Sequence, residues 1–142
     1  MSNAPKTHVL PLRVYYEDTD AAGVVYYANY LKFAERARTE MLVEAGFGQR
    51  QIKDEDGVVF AVRAAEVDYR LPAFLDERIE VHTSVAKVGG ASITLDQIVK
   101  RDGVNLVAMK ITLVCIRNDW RAGRVPQRVR DVLESMTAEP VV

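Results

Sequence analysis

Two aspartates and a glycine stand directly before a helical pattern near the N-terminus. Asp18, Asp20 and Gly23 belong to the stretch YYEDTDAAGVVYYAN, which ends at Asn29. The start of a helix has unpaired backbone N–H groups and the positive end of the helix dipole, and both stabilise negative charge. A carboxylate beside such N–H groups suits thioester hydrolysis, which requires a base or nucleophile and donors for the developing oxyanion.

Asp20 is the predicted catalytic carboxylate of this stretch, and the sequence leaves open whether it acts as a base or as a nucleophile. Backbone N–H groups near residues 25 to 27 would hold the oxyanion, and Gly23 would let an acyl chain or pantetheine approach the backbone closely. An aspartate before a helix is also a common N-cap, because its side chain accepts hydrogen bonds from the first N–H groups. Asp18 fits that structural role better than Asp20 does.

A long amphipathic helix is predicted to position this stretch. Apolar residues recur at steps of three or four from about Ala28 to Ala45. Gly46 provides a left-handed stop, and Phe47 is expected to pack back onto the last turn. Before the helix, alternation predicts a half-buried strand over residues 8 to 16, and Pro11 indicates an edge strand because proline cannot donate to the ladder.

The middle of the chain reads as four antiparallel strands separated by turns. They are predicted over residues 58–69, 78–87, 91–100 and 105–117. Asp102-Gly103 is a short-hairpin signal, and Pro126 introduces a short last helix. A lone long helix among antiparallel strands must lay its apolar stripe on the sheet, so the predicted fold class is α+β, with one helix wrapped by a curved sheet.

Length and composition favour a single domain over residues 1–142, since 49% of the residues are apolar and 27% are charged. The net charge of −1 gives no general electrostatic reason to expect nucleic acid or an anionic membrane as a partner. No stretch approaches the ~20 apolar residues that membrane insertion requires. One cysteine, Cys115, and an N-terminus without a secretory pattern predict a reducing, cytoplasmic location.

The run from Arg13 to Thr39, RVYYEDTDAAGVVYYANYLKFAERART, resembles the signature of the YbgC-type branch of the 4-hydroxybenzoyl-CoA thioesterase-like hot-dog proteins. A looser likeness continues through Val62-Arg63 and Val67-Asp68-Tyr69 and into Arg124-Val125-Pro126, so it covers nearly the whole chain. The resemblance implies a hot-dog fold, in which a five-stranded antiparallel sheet wraps around a long central helix. It also implies an acyl-CoA thioester hydrolase that needs no metal or other cofactor, CoA being part of the substrate.

The family's functional residues can be carried over to three positions of this sequence. The catalytic carboxylate, the second aspartate of Asp-x-Asp, is Asp20, and the family glycine is Gly23. The residue whose backbone N–H holds the thioester carbonyl matches Tyr27. YbgC-type proteins usually have histidine there and the 4-hydroxybenzoyl branch has tyrosine, so only the backbone role carries over. The resemblance further implies a homodimer or a dimer of dimers, with each active site between protomers.

Binding the phosphates of CoA requires a local group of basic residues, because the chain as a whole has no excess of positive charge. Arginine suits phosphate through its forked donors, and glycine turns permit close approach of a ligand. The alternative for each of these charges is solvation on an exposed turn. The predicted CoA contacts are Lys87, Gly89, Gly90 and Arg124, with Arg121 and Arg128 as further candidates.

Other chemistries fit the sequence less well. Dehydratases of this fold use a histidine near the helix entrance, but His8 starts a predicted strand and His82 lies within one. Two histidines and one cysteine at wide separation offer no zinc spacing, so no metal is expected. Glu35, on the helix, is a second candidate carboxylate, for which solvation or an ion pair with a neighbouring arginine is the commoner role.

Two questions stay open at the level of sequence. Short aliphatic, long-chain and aromatic acyl groups are all compatible with the implied activity. The chain also fits a non-catalytic acyl-CoA-binding protein or a cell-envelope accessory protein, the latter suggested by the association of YbgC-type genes with envelope machinery. Asp20 separates these alternatives, because a pure binder needs no ionised group beside a thioester.

Overall fold

The computed structural model describes residues 6–137, which form five strands and three α-helices. The strands are β1 (His8–Arg13), β2 (Val58–Tyr69), β3 (Arg78–Val88), β4 (Ser92–Arg101) and β5 (Val104–Arg117). The helices are α1 (Asn29–Glu44), α2 (Gln49–Asp56) and α3 (Gln127–Ser135). All pairings are antiparallel, in the order β1-β3-β4-β5-β2, so β1 and β2 are the edge strands.

Helix α1 packs its apolar stripe against the sheet, and its residues Phe33, Ala34 and Ala37 are completely buried. They share one core with alternate residues of β3, β4 and β5. Strand β2 contains a bulge between Val62 and Ala64, and bulges of this kind bend a strand and increase its twist. The predicted α+β arrangement of one long helix and a five-stranded antiparallel sheet is confirmed.

The boundaries of α1 agree with the sequence pattern to within one residue at each end. Gly46 follows the helix with φ of +98°, the left-handed conformation that favours glycine. The next residue, Phe47, is buried, and its N–H donates to the carbonyl of Leu42 at 2.8 Å. Both expectations for the end of this helix are therefore confirmed.

Two predictions about the N-terminal half need correction. The first strand was expected to reach Tyr16, but β1 ends at Arg13, and Tyr16 opens a 3₁₀ turn with its side chain exposed. Pro11 does lie on an edge strand, as predicted. Helix α2 was not predicted, because its sequence QRQIKDED has one buried apolar residue, Ile52, and a single residue cannot reveal a helical period.

The C-terminal half follows the predicted pattern closely. Asp102 and Gly103 both have positive φ, at 50° and 79°, as the two-residue hairpin between β4 and β5 requires. Helix α3 begins directly after Pro126 and buries Val129 and Leu133. None of the helices within residues 6–137 is long and apolar enough to cross a membrane.

The sheet has two ends, a proximal end and a distal end. The proximal end is where β1 and β2 finish, at Arg13 and Tyr69, and where β3 begins. The distal end is where β2 begins, at Val58, and where β5 finishes, at Arg117. At about 3.3 Å per residue, β2 separates the two ends by about 35 Å.

Candidate active site

Asp20 lies on a small hairpin that connects β1 to α1 at the proximal end of the sheet. Its N–H donates to the carbonyl of Val24 at 2.9 Å, and the N–H of Gly23 donates to the Asp20 carbonyl at 3.0 Å. Gly23 has φ of +79°, which closes the turn at little steric cost. The carboxylate of Asp20 is exposed, and only its Oδ1 accepts a bond, from the Ala22 N–H at 2.9 Å. Within residues 6–137, Oδ2 has no donor and can face a substrate or water.

Asp18 is buried and holds the loop together, whereas Asp20 is exposed. The Asp18 side chain is only 3% exposed. Oδ2 accepts the backbone N–H of Tyr15 at 2.8 Å, and Oδ1 accepts the side-chain amide of Asn29 at 2.7 Å. The Asp18 carbonyl also accepts the N–H of Tyr26 at 2.9 Å. One buried residue therefore joins the end of β1, the return limb of the hairpin and the first residue of α1.

The peptide that carries the N–H of Tyr27 is held in a fixed orientation at the helix entrance. Its carbonyl, which belongs to Tyr26, accepts the N–H of Asn29 at 2.8 Å. The C=O and N–H of a trans peptide point in opposite directions, so the Tyr27 N–H points away from the helix body. No acceptor among residues 6–137 takes this N–H, and the Ala28 side chain provides no cap. The geometry leaves one oriented donor for a ligand oxygen.

An aromatic cavity of about 260 Å³ adjoins the helix entrance. The ring of Tyr69 lies edge-on to Tyr27, with centroids 6.2 Å apart, and 5.8 Å from the ring of Tyr30. The Tyr69 hydroxyl donates to the Tyr27 carbonyl at 3.0 Å, which further fixes this segment. The cavity is lined by Val25, Tyr27, Tyr30, Tyr69, Arg70, Leu71 and Pro72.

The hydroxyls of Tyr30 and Tyr69 stay neutral at physiological pH, because both have a raised pKa. Burial raises the pKa of the Tyr30 hydroxyl above its usual value, although the hydrogen bond it accepts from the Ala73 N–H opposes the shift. Burial also raises the pKa of Tyr69, and the nearby Tyr27 adds to the effect. Apart from Arg70, which is paired with Asp68, the cavity offers a mainly apolar surface edged by phenol hydroxyls, which suits an uncharged acyl group.

The structure brings together three of the predicted site residues and separates the others from them. Asp20, Gly23 and Tyr27 share one loop. Glu35 lies eight residues further along α1 than Tyr27, about 12 Å at 1.5 Å per residue. It is exposed, and no arginine among residues 6–137 forms an ion pair with it. Within the same residues, no group of three or more histidine, cysteine, aspartate or glutamate side chains is arranged to hold a metal ion.

The predicted CoA contacts lie at the distal end of the sheet, far from Asp20 of the same chain. Lys87 is exposed near the end of β3. The carbonyls of Gly89 and Gly90 accept bonds from Nη2 of Arg130, at 2.6 and 3.1 Å, so α3 holds the shape of this turn. Arg124 lines a surface cavity of about 450 Å³ beside the end of β5. Whether these residues bind CoA stays a prediction.

Sequence reasoning missed the contribution of Tyr30 and Tyr69 to the site. Tyr69 is the last residue of β2, and 42 positions separate it from Tyr27. An aromatic residue at a strand end gives little indication of its partner, because the contact depends on how the strand is placed beside the helix. For Tyr30, the sequence signal was its position in the apolar spacing of α1. That spacing predicts a core residue and gives no indication of a cavity.

Comparisons with known proteins identify the family of this chain. The family model of the thioesterase-like superfamily matches residues 14–135. The acyl-CoA thioesterase YbgC of Haemophilus influenzae is 43% identical over 106 residues, which cover 75% of this chain and 78% of that protein. The acyl-CoA thioester hydrolase YbgC of Escherichia coli O6:H1 is 45% identical over 107 residues, with coverages of 75% and 79%.

Solved structures agree with these matches. A probable thioesterase from Bartonella henselae superposes with a TM-score of 0.82 and 32% identity, covering 85% of this chain and 100% of that one. The fold is that of a hot-dog thioesterase, as predicted. The chain belongs to the thioesterase-like superfamily.

The two hydrogen bonds that Asp18 accepts predict a difference between Asp18→Asn and Asp20→Asn. An amide at position 18 has only one acceptor oxygen for the two donors, the Tyr15 N–H and the Asn29 side chain. One buried donor would therefore lose its partner, and the free energy of unfolding should fall by about 1–3 kcal/mol. An amide at position 20 can still accept the Ala22 N–H and is exposed, so its stability should change by less than about 0.5 kcal/mol. Urea unfolding of both variants measures the difference. Equal stabilities would contradict the anchoring role of Asp18.

Proposed function

We propose that this protein hydrolyses acyl-CoA thioesters to a carboxylic acid and free CoA, with Asp20 as the catalytic carboxylate. The curated relatives described above carry this activity in their names, and it is the activity predicted from the sequence. The observation that carries the proposal is the oriented, unpaired N–H of Tyr27 on the same loop as the exposed Asp20 carboxylate. This pairing supplies an oxyanion donor and a basic oxygen from one rigid segment.

Each group has a defined role in the proposed reaction. The thioester oxygen accepts the Tyr27 N–H, and the positive end of the α1 dipole adds to the stabilisation as negative charge develops. Asp20 either removes a proton from the attacking water or attacks the carbonyl carbon itself, forming an anhydride that water then hydrolyses. In both routes the tetrahedral intermediate expels CoA as a thiolate. Gly23 allows the pantetheine arm to pass close to the hairpin backbone.

The acyl group is proposed to occupy the aromatic cavity beside the helix entrance. Edge-on contacts to Tyr27 and Tyr69 suit a flat or short acyl group, since aromatic rings favour edge-to-face packing. The volume of about 260 Å³ is enough for one small ring or a short chain. Short aliphatic and aromatic thioesters are therefore the first substrates to test, with long-chain thioesters as the comparison.

A homodimer is proposed from the exposed edge of β2. This strand of 12 residues ends the sheet, and its unpaired edge carries exposed apolar side chains such as Val59 and Val62. Unpaired edges of this kind favour pairing with another strand. The opposite edge, β1, is shorter and contains Pro11, which makes it a poorer partner. Two β2 edges related by a two-fold axis would join antiparallel.

Antiparallel pairing of β2 has a consequence for the predicted CoA contacts. Each distal end, with Lys87, Gly89, Gly90 and Arg124, would lie beside the proximal end of the partner subunit. A CoA whose thioester is at one Asp20 would then reach basic residues of the other protomer. We also propose a cytoplasmic location and no nucleic-acid partner, in keeping with the composition and the net charge of −1.

The dimer proposal predicts a charge-sensitive interface at β2. A lysine at Val62 would replace one of the exposed apolar side chains of β2 with a charge, so Val62→Lys should shift the protein towards monomer at micromolar concentration. Val104→Lys is the matched control, because Val104 is similarly exposed, at 50% against 52%, but lies on the β4–β5 hairpin. Light scattering measures the mass of each. A wild-type protein that is monomeric at micromolar concentration would overturn the proposal.

The catalytic proposal is tested by Asp20→Asn in a thiol-release assay over a panel of acyl-CoA thioesters. Asparagine keeps the shape but neither accepts a proton at neutral pH nor attacks a thioester, so kcat should fall about 100- to 10,000-fold. Glu35→Gln is the matched control on α1 and should stay within threefold of wild type. The Asp20 variant should still bind acyl-CoA, because the hydrogen bonds that hold the loop in place come from Asp18 and are unchanged.

Each alternative gives a different outcome in the same assay. If the Asp20 variant hydrolyses its best substrate within threefold of wild type, Asp20 is not the catalyst. Loss of activity in Glu35→Gln instead would move the catalytic role to Glu35. Acyl-CoA binding without turnover of any thioester by the wild type would support a non-catalytic binder or an envelope accessory protein.

A further inference from the structure

The chain forms a tight hairpin directly after β5, and Trp120 stands at its tip. Ile116 bridges to Ala122, the Arg117 N–H donates to the Arg121 carbonyl at 2.8 Å, and the Trp120 N–H donates to the Arg117 carbonyl at 3.0 Å. These bonds define a three-residue loop whose last position requires a left-handed conformation. Trp120 occupies it with φ of +66°. Glycine is the usual residue at such a position.

Nothing in the packing of residues 6–137 offsets the unfavourable conformation of Trp120. A bulky side chain at positive φ is a true outlier, and the Trp120 side chain is 86% exposed, so burial does not stabilise it. The loop is nevertheless held firmly. Asp119 accepts the N–H of Arg121 at 3.1 Å and the guanidinium of Arg117 at 2.7 Å. Strained residues held by their surroundings are concentrated at ligand sites, which makes the indole a candidate contact.

Unpaired positive charge adjoins this loop. Three arginines of the C-terminal segment are neutralised within the chain: Arg117 by Asp119, Arg128 by Glu55 and Asp56, and Arg130 by Glu134. Arg121 and Arg124 are both exposed. Across residues 6–137, no carboxylate lies within 4.0 Å of either guanidinium. The exposed indole thus lies one and four residues before two exposed arginines, neither of which is paired with a carboxylate of residues 6–137.

An exposed aromatic face beside free arginines is the chemistry that recognises a nucleotide. Bases stack on aromatic side chains with little regard to their identity, and forked guanidinium donors match phosphate oxygens. We propose that Trp120 stacks on the adenine of CoA while Arg121 and Arg124 bind its phosphates. The inference rests on the proposed function, which makes CoA the leaving group. The acyl and pantetheine parts of the substrate have neither a base nor a phosphate.

The position of this nucleotide subsite fits the proposed dimer. Trp120 lies beyond the distal end of β5, whereas Asp20 of the same chain lies at the proximal end of the sheet. In the antiparallel β2 pairing, the distal end of one protomer faces the proximal end of the other. The adenine would therefore be bound by the protomer that does not hold the thioester.

Intrinsic fluorescence tests the subsite directly, because Trp120 is the single tryptophan of the chain. CoA and adenosine 3′-phosphate 5′-diphosphate should each quench the emission in a saturable way, and pantetheine should not. Free N-acetyltryptophanamide, titrated in parallel, corrects for absorption by the nucleotide. Absence of saturable quenching by the nucleotide would overturn the proposal. So would equal quenching by pantetheine.

Kinetics with a truncated substrate give the second test. The same acyl group is presented on CoA and on N-acetylcysteamine, which lacks the nucleotide. In Trp120→Gly, the ratio of kcat/KM for the CoA thioester to that for the truncated thioester should fall about fivefold or more, through a higher KM for the CoA thioester. Trp120→Phe keeps an aromatic face and should restore most of the ratio. An unchanged ratio in the glycine variant would overturn the proposal.

The glycine variant also separates binding from folding. Glycine adopts the left-handed conformation freely, so the unfolding midpoint of Trp120→Gly should equal or exceed that of wild type. A fall in the kinetic ratio cannot then be attributed to a damaged hairpin. Failure of the proposed function would look different: the wild type would hydrolyse neither thioester, whereas failure of the subsite alone leaves the hydrolysis of both substrates in place.

Discussion

The buried carboxylate of Asp18 is the interaction on which the site depends. It accepts the Tyr15 N–H and the Asn29 side chain, and its carbonyl accepts the Tyr26 N–H. Each bond fixes a different segment: the end of β1, the entrance of α1 and the return limb of the hairpin. Because these segments are fixed together, Asp20 can remain exposed and lightly bonded without losing its position. Burying one carboxylate thus leaves its neighbour with an oxygen that is available for the proposed chemistry.

The same division between fixed and available groups occurs in the backbone. The Asn29 N–H holds the Tyr26 carbonyl, and this bond leaves the N–H of Tyr27 oriented and unpaired at the positive end of α1. An N–H that needs no rearrangement when charge develops stabilises an oxyanion effectively. At the level of the whole molecule, the strand order also leaves one element available for a partner. It leaves β2 at an edge, and pairing of that edge would bring the basic distal end of one chain to the proximal end of another.

Features set by local sequence periodicity were predictable, and features set by distant contacts were not. The limits of α1 followed from apolar spacing and Gly46, and the β4–β5 hairpin followed from Asp102-Gly103. Tyr69 was missed as a cavity residue because its contact with Tyr27 depends on tertiary placement. The distance between Asp20 and the predicted CoA contacts likewise depends on strand order. The left-handed Trp120 had no sequence signal, since its loop, NDW, contains no glycine.

The most direct test of the central claim is a crystal structure of the protein with a non-hydrolysable acyl-CoA analogue in which a ketone replaces the thioester. The ketone oxygen should lie about 3 Å from the Tyr27 N–H, with a carboxylate oxygen of Asp20 close to the carbonyl carbon or to a water beside it. The acyl group should fill the tyrosine-lined cavity. A ketone bound away from the helix entrance, with Glu35 as the nearest carboxylate, would contradict the account.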